Sequence, residues 1–356
     1  MTNTPLLQIN DLQITYRSSR GEIPAVRGVD LTLNSGETLG IAGESGCGKS
    51  TVAMAILRLL PEKTKVEGEL LLKGEDILKM RWGKIRAVRW AEASIVFQGA
   101  QHALNPMHRV GQQIAEPIEL HQGIKGPTVD KRVEELLQQV GLPAWRMQNY
   151  PHELSGGQRQ RVMIAMALAC DPDLIIADEA TTALDVMVQA QILTLLQELV
   201  SQRNAGLIMI SHDLSVLAEV CDRTMVMYAG KVVESGDSTS LFDAPRHPYS
   251  DALGAAFPVI GDPAARNNPR GLAGDPPVPG QLPPGCSFHP RCPVARPECA
   301  ETEPELLEVA VLGGDGAAAP QDAAGPRLSA CIVAQGGESI RFTRSSASDM
   351  PQEEAR

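Results

Sequence analysis

Residues 43–51 read GESGCGKST, and no other run limits the possible folds of this chain as strongly. Gly43, Gly48, Lys49 and Ser50 fit the spacing G-x-x-x-x-G-K-[ST]. Such a loop turns its backbone N–H groups onto phosphates, and its glycines allow the close approach. The lysine offers a cation to the β and γ oxygens, and the serine hydroxyl can ligate Mg2+. The loop belongs between a strand and a helix. Both flanks are legible: the apolar "TLGIAG" (38–43) before it, and "STVAMAILRLL" (50–60) after it, stopped by Pro61. Cys47 is simply a small residue within the loop.

The rest of the chain to about residue 240 supports an α/β domain. "LQITY" (12–16) and "VDLTL" (29–33) alternate apolar and polar residues, as half-buried strands do. "KRVEELLQQVG" (131–141) has helical spacing, with Gly141 as a C-terminal cap. "DLIIADE" (173–179) and "GLIMISH" (206–212) are short buried-strand runs among helical patterns. Strands alternating with helices give a mainly parallel sheet. Signals between about 81 and 171 are mostly helical and are read as an inserted subdomain. "LIIADE" ends in Asp178 and Glu179. The first can hold Mg2+ through water, and the second stands where a carboxylate could orient or deprotonate an attacking water.

A second glycine-containing loop, "LSGGQ" at 154–158, also opens a helical pattern. Nothing else calls for two nucleotides per chain. Taken in series, Gly43–Thr51, Gln98 in "VFQ", "LSGGQ", "LIIADE", "ALD" at 183–185 and His212 in "ISHD" resemble the ATP-binding-cassette ATPases, over about residues 5–240. In that family two ATPase domains pair head to tail around two ATP molecules. Each site joins one subunit's phosphate loop to the other's LSGGQ.

The resemblance implies that ATP is held by Gly43, Ser45, Gly46, Cys47, Gly48, Lys49, Ser50 and Thr51. It implies that Ser155, Gly156, Gly157 and Gln158 serve the partner's ATP. It gives Gln98 as a Mg2+ and water ligand beside Ser50 and Asp178, His212 as the γ-phosphate switch, and Asp185 as a contact between the two sites. Tyr16 lies 27 residues before Gly43, where these ATPases place an adenine-stacking aromatic. One departure is Ala180 after Glu179, where the family usually has proline. The glutamate remains, so hydrolysis is expected to survive.

"FQGAQHALNPMHRVGQQIAEP" (97–117), "HPYSDAL" (247–253) and "PPGCSFHPRCPVARPEC" (283–299) resemble ATPase subunits of dipeptide and oligopeptide importers, a group that includes nickel and some oligosaccharide importers. The expected organisation is a cassette over 1–240, an importer-type extension over 241–335 and a disordered tail over 336–356. "GDPAARNNPRGLAGDPPVPGQLPPG" (261–285) is rich in proline and glycine and reads as a linker. The implied partners are a second homologous ATPase subunit, two transmembrane permeases and an extracytoplasmic solute-binding protein. The implied place is the cytoplasmic face of the inner membrane.

Cys286, Cys292, Cys299 and Cys331 run C-x5-C-x6-C-x31-C, without the paired C-x2–4-C ligands usual in zinc knuckles. Some members of the resembled group carry a cluster in this extension. A [4Fe–4S] cluster is therefore placed ahead of zinc, with free core thiols a further alternative.

Composition narrows the function classes. The formal charge of −11 does not describe a nucleic-acid surface. The longest apolar runs, such as "VMIAMALAC" (162–170), are far short of a membrane span. The first residues, "MTNTPLLQIN", lack the basic and apolar regions of a signal peptide, so the chain is read as cytosolic. A soluble cassette ATPase acting on DNA or ribosomes is the competing reading. It is disfavoured by the charge, the single cassette and the lack of long coiled-coil insertions. A metal-binding module that uses the cassette only as a nucleotide sensor is disfavoured by the presence of both Glu179 and His212.

Overall fold

The computed structural model describes residues 4–18, 21–97, 99, 103–181, 184–256, 274–310, 326–338 and 340. Strands β1 (Leu7–Ser18) and β2 (Gly21–Leu33) pair antiparallel, and a bulge sets their inward face. The register shifts between Ile9 and Leu12, where Asp11 takes a φ of 44°. The extra residue lets Leu7, Ile9, Leu12 and Ile14 all be buried, although strict alternation would have turned the last two outward.

Next come β3 (Thr38–Ala42), α1 (Lys49–Ile56), β4 (Lys65–Leu72) and β5 (Glu75–Asp76). The short sheet has the order β2-β1-β4-β5. Helix α1 ends earlier than its sequence pattern suggests. Arg58 turns into the left-handed region at φ 48°, and Arg89 donates to the carbonyls of Leu57 and Arg58 at 2.9 and 2.7 Å. A cation satisfying the last carbonyls of a helix replaces the further turn.

The stretch from 81 to 171 holds α2 (Trp82–Ala91), β6 (Ala93–Val96), α3 (Val110–Gln122), α4 (Pro127–Gln139) and α5 (Gly156–Ala167). Gly141 lies just past α4 at φ 72°, as a terminating glycine should. Then follow β7 (Leu174–Asp178), α6 (Val186–Arg203), β8 (Gly206–Ser211), α7 (Leu214–Val220), β9 (Arg223–Tyr228) and β10 (Lys231–Asp237). The main sheet has the order β10-β9-β3-β8-β7-β6, parallel from β9 to β6, with β10 antiparallel to β9.

Both faces of this sheet are covered. Along β7, Ile175 and Ala177 join one buried cluster while Leu174 and Ile176 join another, as the two-residue period requires. That explains why the central strands read as unbroken apolar runs. No described helix is long and apolar enough to cross a membrane.

The C-terminal region continues the same sheet. After α8 (Ser238–Asp243) and α9 (Pro248–Ala256), the short strands β11 (Leu307–Glu308) and β12 (Leu328–Ser329) extend it past β10, followed by α10 (Ile332–Gln335). Glu234 of β10 pairs with Ser329, and its side chain is fully buried. The carboxylate accepts from Arg327 Nη2 at 2.8 Å, from the backbone N–H of His247 at 3.1 Å and from that of Arg246. Arg327 is itself 1% exposed. Removing one side of a buried pair strands the other charge in a low-dielectric interior, at a cost of about 3–5 kcal/mol. Glu234→Ala should therefore lower the urea unfolding free energy by about that amount, and Glu234→Leu combined with Arg327→Met should lose less. An unchanged denaturation midpoint in Glu234→Ala would refute this account of the anchor.

Candidate functional site

A cleft of about 870 Å³ opens at the C-terminal ends of the parallel strands, a size that suits a nucleotide. Its phosphate end is the loop between β3 and α1. Gly43, Gly46 and Gly48 all have positive φ, at 147°, 82° and 110°. A Cβ on Gly43 would lie 2.3 Å from the Met227 carbonyl oxygen, so the loop is seated directly on β9. Ser45, Gly46, Gly48, Lys49, Ser50 and Thr51 line the cleft. Gly43 and Cys47 do not: Cys47 is 5% exposed, and burial raises its thiol pKa. The Lys49 ammonium donates to the carbonyls of Gly43 and Glu44 at 2.7 and 2.9 Å, which holds it across the loop mouth.

The acidic end of β7 meets this loop. Ser50 Oγ donates to Asp178 Oδ1 at 3.0 Å. Asp178 is buried, and burial is the main cause raising its carboxyl pKa. A hydroxyl and a carboxylate side by side are hard oxygen donors of the kind Mg2+ selects, and a carboxylate starved of solvent gains most from a cation. The residues present therefore fit Mg2+.

Glu179 takes φ 45°, a left-handed conformation uncommon for a non-glycine residue and found most often where function demands it. Its N–H donates to the Ile210 carbonyl at 3.0 Å, tying the turn to β8. Proline at 180 would bias residue 179 toward extended backbone, whereas Ala180 leaves it free to adopt this turn. His212, just past β8, places Nδ1 3.7 Å from Glu179 Oε1. The neighbouring Glu179 carboxylate is the largest cause raising the His212 pKa. Both side chains line the cleft.

Tyr16 also lines the cleft, its hydroxyl 3.2 Å from Thr51 Oγ1. Gln98 lies outside the described residues. Ser155, Gly156, Gly157 and Gln158 do not line the cleft. They cap α5: Ser155 Oγ accepts from Gln158 N at 3.3 Å, and Gln158 Oε1 accepts from Ser155 N at 3.1 Å. Ser155 is exposed. A Cβ on Gly157 would lie 2.6 Å from Val188 Cγ1, so this glycine also permits α5 to pack against α6. Asp185 caps α6 by accepting from Val188 N at 3.0 Å.

One part of the site was not foreseen. The proline-rich run read as a linker contributes Pro277, Pro279 and Leu282 to the cleft wall, beside Leu253 and Ala256. Prolines cannot join a sheet ladder, but they hold an extended shape that packs as a wall. The apolar Leu282 within this run was the available signal.

The four C-terminal cysteines, with His247 and Phe288, line one small separate cavity. Burial raises the pKa of Cys286 and Cys331, and takes Cys292 to about 11. His247 is lowered to about 3 by burial, so it is neutral. Among the described residues, no three His, Cys, Asp or Glu side chains are grouped so as to hold a metal ion.

Residues 26–182 match the ABC transporter family. The chain belongs to that family of ATP-binding-cassette ATPases. Residues 233–299 match the C-terminal region of oligopeptide and dipeptide transporters. The chain is 45% identical to the oligopeptide transport ATP-binding protein OppD of Salmonella typhimurium, over 84% of this chain and 89% of that one. It is 46% identical to OppD of Mycobacterium tuberculosis, over 86% of this chain and 50% of that one. A solved dimer of the ATP-binding cassette MJ0796 with ADP and Pi is similar at TM-score 0.60 and 28% identity, over 65% of this chain and 98% of that one.

The contact between His212 and Glu179 sets a measurable property. Glu179→Gln removes the carboxylate that favours the imidazolium, so the His212 pKa should fall. Titration of the His212 ring by NMR reads this directly, and an unchanged or higher value would show that Glu179 does not control it.

Proposed function

We propose that this chain is the ATP-hydrolysing subunit that powers peptide import through a membrane transporter. The observation that carries the reading is the convergence of Lys49, Ser50, Asp178, Glu179 and His212 on one cleft in a chain whose C-terminal region matches oligopeptide and dipeptide transporters. Each residue has a task suited to its surroundings. Lys49 and the loop N–H groups bind and orient the β and γ phosphates of ATP. Ser50 and Asp178, with Gln98, hold Mg2+, whose charge would offset that developing on the phosphate oxygens. Glu179 orients a water and takes its proton, while His212 holds the γ-phosphate side of the cleft. Tyr16 stacks on the adenine.

The N-terminus of α5 carries the second half of the reading. Ser155, Gly156, Gly157 and Gln158 lie outside the lining of this chain's own cleft, and a helix N-terminus attracts anions. They serve ATP held by a second, homologous ATPase subunit in a head-to-tail pair, with Asp185 between the two sites. Exchange of one site's loop for the other's explains two phosphate-type loops with one nucleotide per chain. The pair docks on two transmembrane permeases at the cytoplasmic face of the inner membrane, fed by an extracytoplasmic solute-binding protein. The cassette spans residues 1–240 with its helical part at about 81–171, the importer extension 241–335, and the tail 336–356.

The extension's cysteines are assigned to a [4Fe–4S] cluster, whose role is to hold the extension together. Support comes from the four thiols that line one small cavity, which match the ligand count of such a cluster.

In the assembled transporter, Glu179→Gln should keep MgATP binding but cut turnover by about 10²–10⁴-fold. Ser155→Arg should leave binding by the isolated chain intact and abolish peptide uptake. Near-normal hydrolysis in the first, or lost affinity in the isolated second, would overturn these roles. Anaerobically prepared protein should absorb broadly near ~400 nm and carry about four irons per chain. Stoichiometric zinc, or no metal, would refute the cluster.

A further inference from the structure

The C-terminal region does more than extend the sheet: it grips the phosphate loop. Arg291 ends a short turn, His289–Arg291, and its side chain is only 6% exposed. Its guanidinium meets the Glu44 carboxylate in a two-pronged contact, with Nη1 to Oε2 at 2.7 Å and Nη2 to Oε1 at 3.0 Å. The Tyr228 hydroxyl takes a third bond from Nη1 at 3.3 Å. Its Cζ lies 5.9 Å from the centroids of both Tyr228 and Phe288, so two rings flank the fork. Tyr249, from the "HPY" segment, accepts the Glu44 backbone N–H on its hydroxyl at 2.7 Å.

Glu44 is an unexpected residue for these contacts to converge on. It directly follows Gly43, its carbonyl holds Lys49, and it lines the cleft. A free carboxylate at the mouth of a triphosphate site would repel the ligand. A planar guanidinium cancels that charge and fixes the orientation of the carboxylate at the same time.

We infer that Arg291 is a positioning residue for nucleotide: by pairing Glu44 it orients that carboxylate and removes a negative charge from the phosphate end of the cleft. The inference rests on the reading of this cleft as an ATP site. Arg291 does not itself line the cleft, and acts through Glu44.

The test is a double-mutant cycle on the full chain, with MgATP binding followed by calorimetry and steady-state hydrolysis measured in the assembled transporter. Arg291→Met should weaken MgATP binding by about tenfold, because it leaves Glu44 charged and unpaired. In hydrolysis, KM for ATP should rise by a similar factor with kcat within about twofold, since the chemistry around Glu179 is untouched. The same change in the Glu44→Gln background should cost less than about twofold, because no charge is left to neutralise.

A purely structural staple predicts the opposite: an equal loss in both backgrounds. That result, or unchanged affinity in Arg291→Met, would overturn the inference. Should Arg291→Met fail to fold, the double variant leaves no orphaned charge and decides the matter. Its affinity should lie within about twofold of that of Glu44→Gln, and a tenfold deficit would refute the inference. Failure of the unaltered chain to bind MgATP would instead remove the ATP reading itself.

Discussion

The structure depends on a buried carboxylate. Glu234 sits on an inner strand of the main sheet and gathers Arg327 and the N–H groups of Arg246 and His247. An ion pair so deep is not a strong source of net stability, since desolvation offsets most of its attraction. What it supplies is position. It fixes where the chain turns into α9, and so where Tyr249 stands, and it draws β12 against β10. From there the segment bearing Arg291 and the four cysteines is brought back beside the phosphate loop. A short "HPY" signature therefore has a physical role: its backbone solvates a buried acid.

Much of the nucleotide site was legible in the sequence because its geometry is local. The loop between β3 and α1 is specified by glycines within a few residues of one another, and β7 by an apolar run ending in two acids. Partners far apart along the chain were not legible. Nothing in the local pattern at Arg58 says that Arg89 will cap α1 there. The proline-rich stretch was read by composition, which describes backbone freedom and not what the chain packs against, so Pro277 and Pro279 were missed as cleft wall. Gly157 was read for phosphate alone, although the clearance from Val188 also requires a glycine.

The two glycine loops differ in how their polar groups are used. In the first, Lys49 crosses the mouth and the side chains turn inward to a cleft. In the second, Ser155 and Gln158 satisfy each other, and the loop is presented at the surface. The same helix-terminus physics thus yields one loop that lines a cleft and one that does not.

The contact between Arg291 and Glu44 spans 247 residues of sequence. Chains grow from the N-terminus at about 5–20 residues per second, so the loop precedes its guanidinium by roughly 12–50 s. During that interval the emerging chain has its glycines and lysine in order, but Glu44 still lacks its counter-ion. The clamped loop therefore marks a chain grown past residue 291: a chain cut short before that point carries the phosphate-loop motif and lacks the contact that clamps it.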